Sequence, residues 1–166
     1  MEKPDIALTI SSPRLLCAVY FGLLSVLFAV VFHNTMEWFG LKPLMPLAHA
    51  VFLGGLITSC VAALYGKILL LAPKPFKANV FWQAFGMSML ALPVYCVGVL
   101  ISLYINESPL MLNANPTHAI KLFLIIWMYY IMLFGFFLSF ITGFAAIYLR
   151  AHLVYHLMNS IDQRRV

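Results

Sequence analysis

The stretch PLAHAVFLGGLITSCVAALYGKILLL, running from Pro46 to Leu71, decides the fold. It carries a single charge, Lys67, close to its end. About 20 consecutive apolar residues in a helix cross the hydrocarbon of a bilayer. Inside that hydrocarbon each backbone N–H and C=O needs a partner within the segment, which only a helix supplies to a single span. Prolines bracket the stretch, with Pro43 and Pro46 before or at its start and Pro73 and Pro75 after it.

Within this segment Ala50, Gly54, Thr58, Ala62 and Gly66 recur at every fourth residue, hence on one helical face. Val51, Gly55, Ser59 and Ala63 form the adjoining row. Lipid chains are as apolar as leucine, so helices in a bilayer associate through close packing over small residues. The second helix is therefore expected at the centre of a bundle. Gly135, Ser139 and Gly143 repeat the same step further along the chain, and the two faces are candidates to meet. Ala18, Gly22, Ser25 and Ala29 offer a third such row.

Three more apolar stretches extend the pattern. The expected spans lie at about 15–33, 46–71, 80–105 and 116–149. Ser12-Pro13 and Asn115-Pro116 open the first and last as cap residue followed by proline, and Asn79 is placed to cap the third. The acidic Glu2 and Asp5 upstream, without a small-x-small cleavage pattern, mark the first stretch as a retained span rather than a signal peptide. The expected architecture is all-α: a polytopic membrane protein forming one domain, a four-transmembrane-helix bundle with an amphipathic helical extension over 150–166. In that tail Leu153, Leu157 and Ile161 share a face suited to lipid or a partner. Leu110, Met111 and Leu112 make an apolar tip in the connection before the fourth span, next to the glycosylation-type triplet Asn106-Glu107-Ser108.

Composition agrees with a bilayer setting. The chain is 64% hydrophobic and 9% charged, against roughly 25% charged for a soluble domain. The net charge of +5 resides at helix ends, where Lys and Arg set orientation, and no basic run stands outside the apolar stretches to hold nucleic acid. Lys3, Arg14, Lys67, Lys74, Lys77, Arg150, Arg164 and Arg165 fall on one side; Lys42 and Lys121 fall on the other. Both termini are thus expected in the cytoplasm, in a membrane taken as a bacterial inner membrane.

Residues able to do chemistry are sparse at mid-depth. No Asp, Glu, Lys, Arg or His occupies the middle of a span, where such groups mark ion and proton pathways. Nucleophile elbow, phosphate loop, dinucleotide fingerprint and His-Glu-x-x-His patterns are missing, so no enzyme is expected. Cys17, Cys60 and Cys96 lie singly within apolar stretches and read as packing residues. His33, His49 and His118 map to the outer side together with Glu37, Met36 and Met45, which makes them candidate ligands for copper or zinc. His152 and His156 share a helical face beyond the last span, the only pair that could sit beside a haem. Pro93 inside the third span is a candidate hinge. No cofactor is expected on balance.

The function expected from these features is that of a non-catalytic membrane subunit or adaptor. It would pack against another membrane protein, or against its own copies, and position that partner in the bilayer. An immunity-type blocker of a pore-forming toxin is a special case, by analogy of size and span count. A small oligomeric channel or transporter is the alternative, and a metal- or haem-associated electron-transfer subunit the second.

Overall fold

A computed structural model describes residues 12–40, 45–72, 76–105 and 116–154. The described chain is helical, without a strand. Helix α1 spans Pro13–Trp38, α2 Leu47–Leu70 and α3 Lys77–Ile105. All three are long and apolar enough to cross a membrane, which marks a helical membrane protein. A fourth helical rod follows, divided into α4 (Pro116–Tyr130), a π turn over Ile131–Gly135, α5 (Phe136–Tyr148) and a second π turn over Leu149–Leu153. Its apolar piece Phe136–His152 is shorter than the other three. Helicity carries on to Val154. The outer-loop residues Leu110, Met111 and Leu112 and the tail residues Leu157 and Ile161 lie outside the described residues.

The helix ends follow local chemistry. Pro13 occupies the first turn of α1, where its missing N–H costs nothing, and the Ser12 carbonyl accepts the Leu16 N–H at 3.2 Å; the Ser12 hydroxyl makes no cap bond. Helix α1 runs to Trp38, five residues past the expected end at 33. The Thr35 hydroxyl bonds back to the Val31 carbonyl at 2.7 Å, and His33 lies 3.2 Å from Glu37 one turn on, so polar groups extend the helix out of the apolar zone. Gly40 then ends it at φ +70, a left-handed conformation that glycine adopts without strain. The expected cap at Asn79 is corrected. Helix α3 begins earlier, at Lys77, and the Phe76 carbonyl accepts the Val80 N–H at 2.8 Å, leaving Asn79 inside the first turn and exposed.

Neighbours in sequence are neighbours in space: α1 packs along α2, α2 along α3, and α3 along α4 and α5. A core of Cys17, Phe21, Ala62, Leu69, Val80, Ala84 and Met87 occupies one end of the bundle, and a smaller cluster of Met45, Cys96, Val99, Leu103 and Ile126 the other. The outward faces are apolar, with Leu23, Phe52, Leu64, Trp82 and Phe144 exposed, as lipid permits.

Candidate functional site

The small-residue rows determine which helices can approach. At Gly66 a Cβ would lie 2.7 Å from the Arg14 Cα and 2.9 Å from the Pro13 carbonyl oxygen, so backbone meets backbone where α1 starts. Higher up, Gly55 faces Val26 and Gly22 faces Ser59. The face of α2 that includes Ala62 and Gly66 therefore rests on α1. On the fourth rod, Gly135 faces Leu92 and Gly143 faces the Phe81 ring, so this row meets α3, with Ser139 buried between them. The α2 and fourth-helix rows do not pack on each other: Ala50, Gly54 and Thr58 line a cavity that Gly135 also lines. A Cβ at Gly54 would lie 3.8 Å from the Tyr95 ring and 3.9 Å from the Ser25 hydroxyl, Thr58 is half-buried, and Ala50 flanks the smaller core cluster.

Where α1 and the fourth rod come together, side chains do the joining. Near the end of the bundle where α1 starts, called inner and the opposite end outer, the Tyr20 hydroxyl donates to the Ala145 carbonyl at 3.3 Å. Near the outer end the Tyr129 hydroxyl lies 3.9 Å from the Met36 sulfur, and the rings of Phe32 and Tyr130 are 6.2 Å apart. Between these two clasps the helices leave a cavity of about 260 Å³. Its walls come from all four helical rods: Phe21, Leu24 and Phe28 of α1, Ile57 and Val61 of α2, Met87 and Leu92 of α3, Leu138 of α5. Two lining residues are also exposed at the surface, Val31 at 54% and Phe137 at 67%, which places the mouth between α1 and α5, facing sideways.

The polar fittings of this cavity are hydroxyls. Ser25 donates to the Gly22 carbonyl at 3.1 Å and Thr142 to the Leu138 carbonyl at 2.8 Å, so both are satisfied within their own helices. In the outer half Tyr95 and Tyr130 pack edge-to-face at 5.6 Å, and the Tyr95 hydroxyl donates to the Met45 sulfur at 3.9 Å. Tyr129 stacks edge-on beside Tyr130 at 5.8 Å. Among the described residues no Lys, Arg, Asp or Glu lines the cavity, and the one imidazole that does, His33, is paired with Glu37.

The candidate metal ligands stay apart. His33 turns toward the cavity, whereas His49 and His118 are exposed, and among the described residues no three His, Cys, Asp or Glu side chains gather. Pro93 sits within an unbroken α3, one residue from Leu92, which the π turn contacts through Gly135. Thus Pro93 and the π turn lie at the same depth, where Leu92 and Gly135 line the cavity. π turns recur at functional sites, since they re-aim side chains on either side.

One site escaped the sequence reading. Arg150, counted by sequence only among the orienting cations at helix ends, is 1% exposed. It donates to the Ala72 carbonyl, just beyond the end of α2, and its guanidinium lies 4.4 Å from the centre of the Phe76 ring. A cation suits the carbonyl-rich end of a helix, and the flat guanidinium stacks on an aromatic face. The second π turn presents it there. No family model matches this sequence, and comparison with curated proteins and with solved structures gives no match.

Proposed function

We propose that this chain is a four-span membrane protein with both ends in the cytoplasm, and that its bundle is a non-catalytic binding unit that admits an apolar molecule sideways from the bilayer. The cavity between α1 and the fourth rod, open between Val31 and Phe137, carries the reading. A small-molecule pocket is typically about 300–1,000 Å³ and mostly apolar, with a few placed polar groups. The cavity falls at the small end of that class. A spanning helix is about 30 Å long and 10 Å across, larger than any pocket of that class, so a partner's whole transmembrane segment does not fit inside it.

The fourth rod has the reach of a span despite its π turns. Tyr129 touches Met36 near the outer end of α1, and Arg150 touches Ala72 at the inner end of α2. The 21 residue steps from Tyr129 to Arg150 rise about 32 Å, close to the hydrocarbon thickness of about 30 Å. Reporters fused to the two termini test the topology: an even number of spans puts both on the cytoplasmic side, and opposite sides would reject it. Native mass spectrometry tests the binding. The purified protein should retain an apolar adduct that Ala29→Phe, which fills the cavity, excludes. A bare mass for both forms would reject the reading.

A second reading, a membrane subunit that positions a protein partner, rests on Gly86. It is exposed on α3 with nothing within 4 Å of its Cβ position, so a helix from another chain can approach there. Co-purification in mild detergent tests it, and a chain that runs alone would reject it.

A further inference from the structure

Given the binding-unit reading above, on which this rests, the fittings of the cavity define what it takes. Its hydrocarbon lining continues from Phe21, Leu24 and Met87 to the outer clasp, where the hydroxyls of Tyr95 and Tyr129 both stand over sulfur at 3.9 Å. A thioether is a weak acceptor, and a phenolic hydroxyl offers one donor and two acceptor lone pairs. Either tyrosine therefore gains by exchanging methionine sulfur for an oxygen on a bound molecule, and each can serve a carbonyl or a hydroxyl. The two tyrosines approach from different helices, α3 and α4, so both reach the outer end of the cavity.

Charge excludes the ionic alternatives. A carboxylate or phosphate drawn into this apolar space would need a cation, and none of the described residues that line it carries one. His33 is held by Glu37, whose carboxylate would repel a second anion. An ammonium head would equally lack a lining carboxylate. A bare hydrocarbon would leave the tyrosine hydroxyls on their sulfurs and draw nothing from them.

We infer that the cavity binds an uncharged lipid-like molecule bearing a carbonyl or hydroxyl, such as a fatty alcohol or a fatty ester, with its oxygen on the Tyr95 and Tyr129 hydroxyls. Its chain lies inward along Phe21, Leu24 and Met87. The sideways mouth at Val31 and Phe137 lets such a molecule enter from the hydrocarbon without crossing water.

The test uses the full chain in phosphatidylcholine nanodiscs with radiolabelled hexadecanol as the probe, and methyl palmitate, hexadecane and palmitate as competitors. Saturable binding is expected. Methyl palmitate should compete comparably, while hexadecane and palmitate should compete at least about tenfold more weakly. Tyr95→Phe and Tyr129→Phe, which keep the ring and remove the hydroxyl, should each weaken hexadecanol by about two- to tenfold, the worth of one hydrogen bond. Neither should alter the weak competition by hexadecane, which separates loss of the oxygen contact from loss of the fold. Ala29→Phe should remove binding. Hexadecane or palmitate competing as well as the ester, or both tyrosine variants binding as the parent does, would overturn the assignment of the head group and leave the binding unit standing. Lack of a saturable site, or one indifferent to Ala29→Phe, would overturn the binding unit as well.

Discussion

Replacing Gly66 by alanine adds one methyl group where α1 and α2 touch through backbone. That methyl would stand 2.7 Å from the Arg14 Cα and 2.9 Å from the Pro13 carbonyl oxygen. Non-bonded carbon pairs rest at roughly 3.5–4.0 Å, so the helices must part by something near 1 Å. Neither obstacle is the free end of a side chain. Pro13 and Arg14 belong to the first turn of α1, and Pro13 is buried. Overpacking of this kind costs about 1–3 kcal/mol. Alanine also favours the helix over glycine by about 1 kcal/mol, which offsets part of the cost. Gly86→Ala isolates that offset, because Gly86 has open space around it. The two variants should therefore differ by the strain alone, about 1–3 kcal/mol, with Gly86→Ala equal to or more stable than the parent. Unfolding in mixed micelles with rising dodecyl sulfate, followed by circular dichroism, measures both. If Gly66→Ala proves as stable as Gly86→Ala, α1 does not rest on α2 at this glycine, and the account of the small-residue face is wrong.

Two further outcomes use the same assay. Arg150→Lys keeps the charge but loses the flat stacking on Phe76, and should lower stability by about 1 kcal/mol, while Arg150→Met also frees the Ala72 carbonyl and should cost more. A lysine variant as stable as the parent would mean that charge alone holds the end of the fourth rod. Tyr20→Phe removes the inner clasp between α1 and α5, with an expected cost of about 1 kcal/mol and faster release of a bound apolar molecule. Unchanged release would show that the inner clasp does not frame the mouth.

Much of the scaffold was legible because a bilayer narrows the options. The ends of the second and third apolar stretches fell near Leu70 and Ile105, since prolines and polar residues punctuate them. The four-residue steps identified faces, but periodicity along one helix says nothing of the partner across from it. That is why the row of α2 proved to rest on α1 while the fourth-rod row rests on Phe81 and Leu92 of α3. The burial of Arg150 is not legible in the sequence, because a cation after an apolar run ordinarily reaches the interface. Its acceptor, the Ala72 carbonyl, is 78 residues away in the chain and leaves no local signal. The cavity was illegible for a related reason. It arises from the separation of α1 and the fourth rod, a distance that no stretch of sequence encodes by itself. Tyr95 carries no local signal, and its edge-to-face pairing with Tyr130 needs both helices in place.

The π turn over Ile131–Gly135 has a consequence for phase. It fits an extra residue into the helical count, and one residue is about 100° around a helix of 3.6 residues per turn. The rod thus changes phase between Tyr130 and Phe136, and its outer and inner halves are aimed separately. The inner half points Gly143 at the Phe81 ring of α3 while the outer half points Tyr129 and Tyr130 at α1 and the cavity. A uniform α-helix with the same residues could satisfy one of those two directions and would carry the other about a quarter-turn past its target.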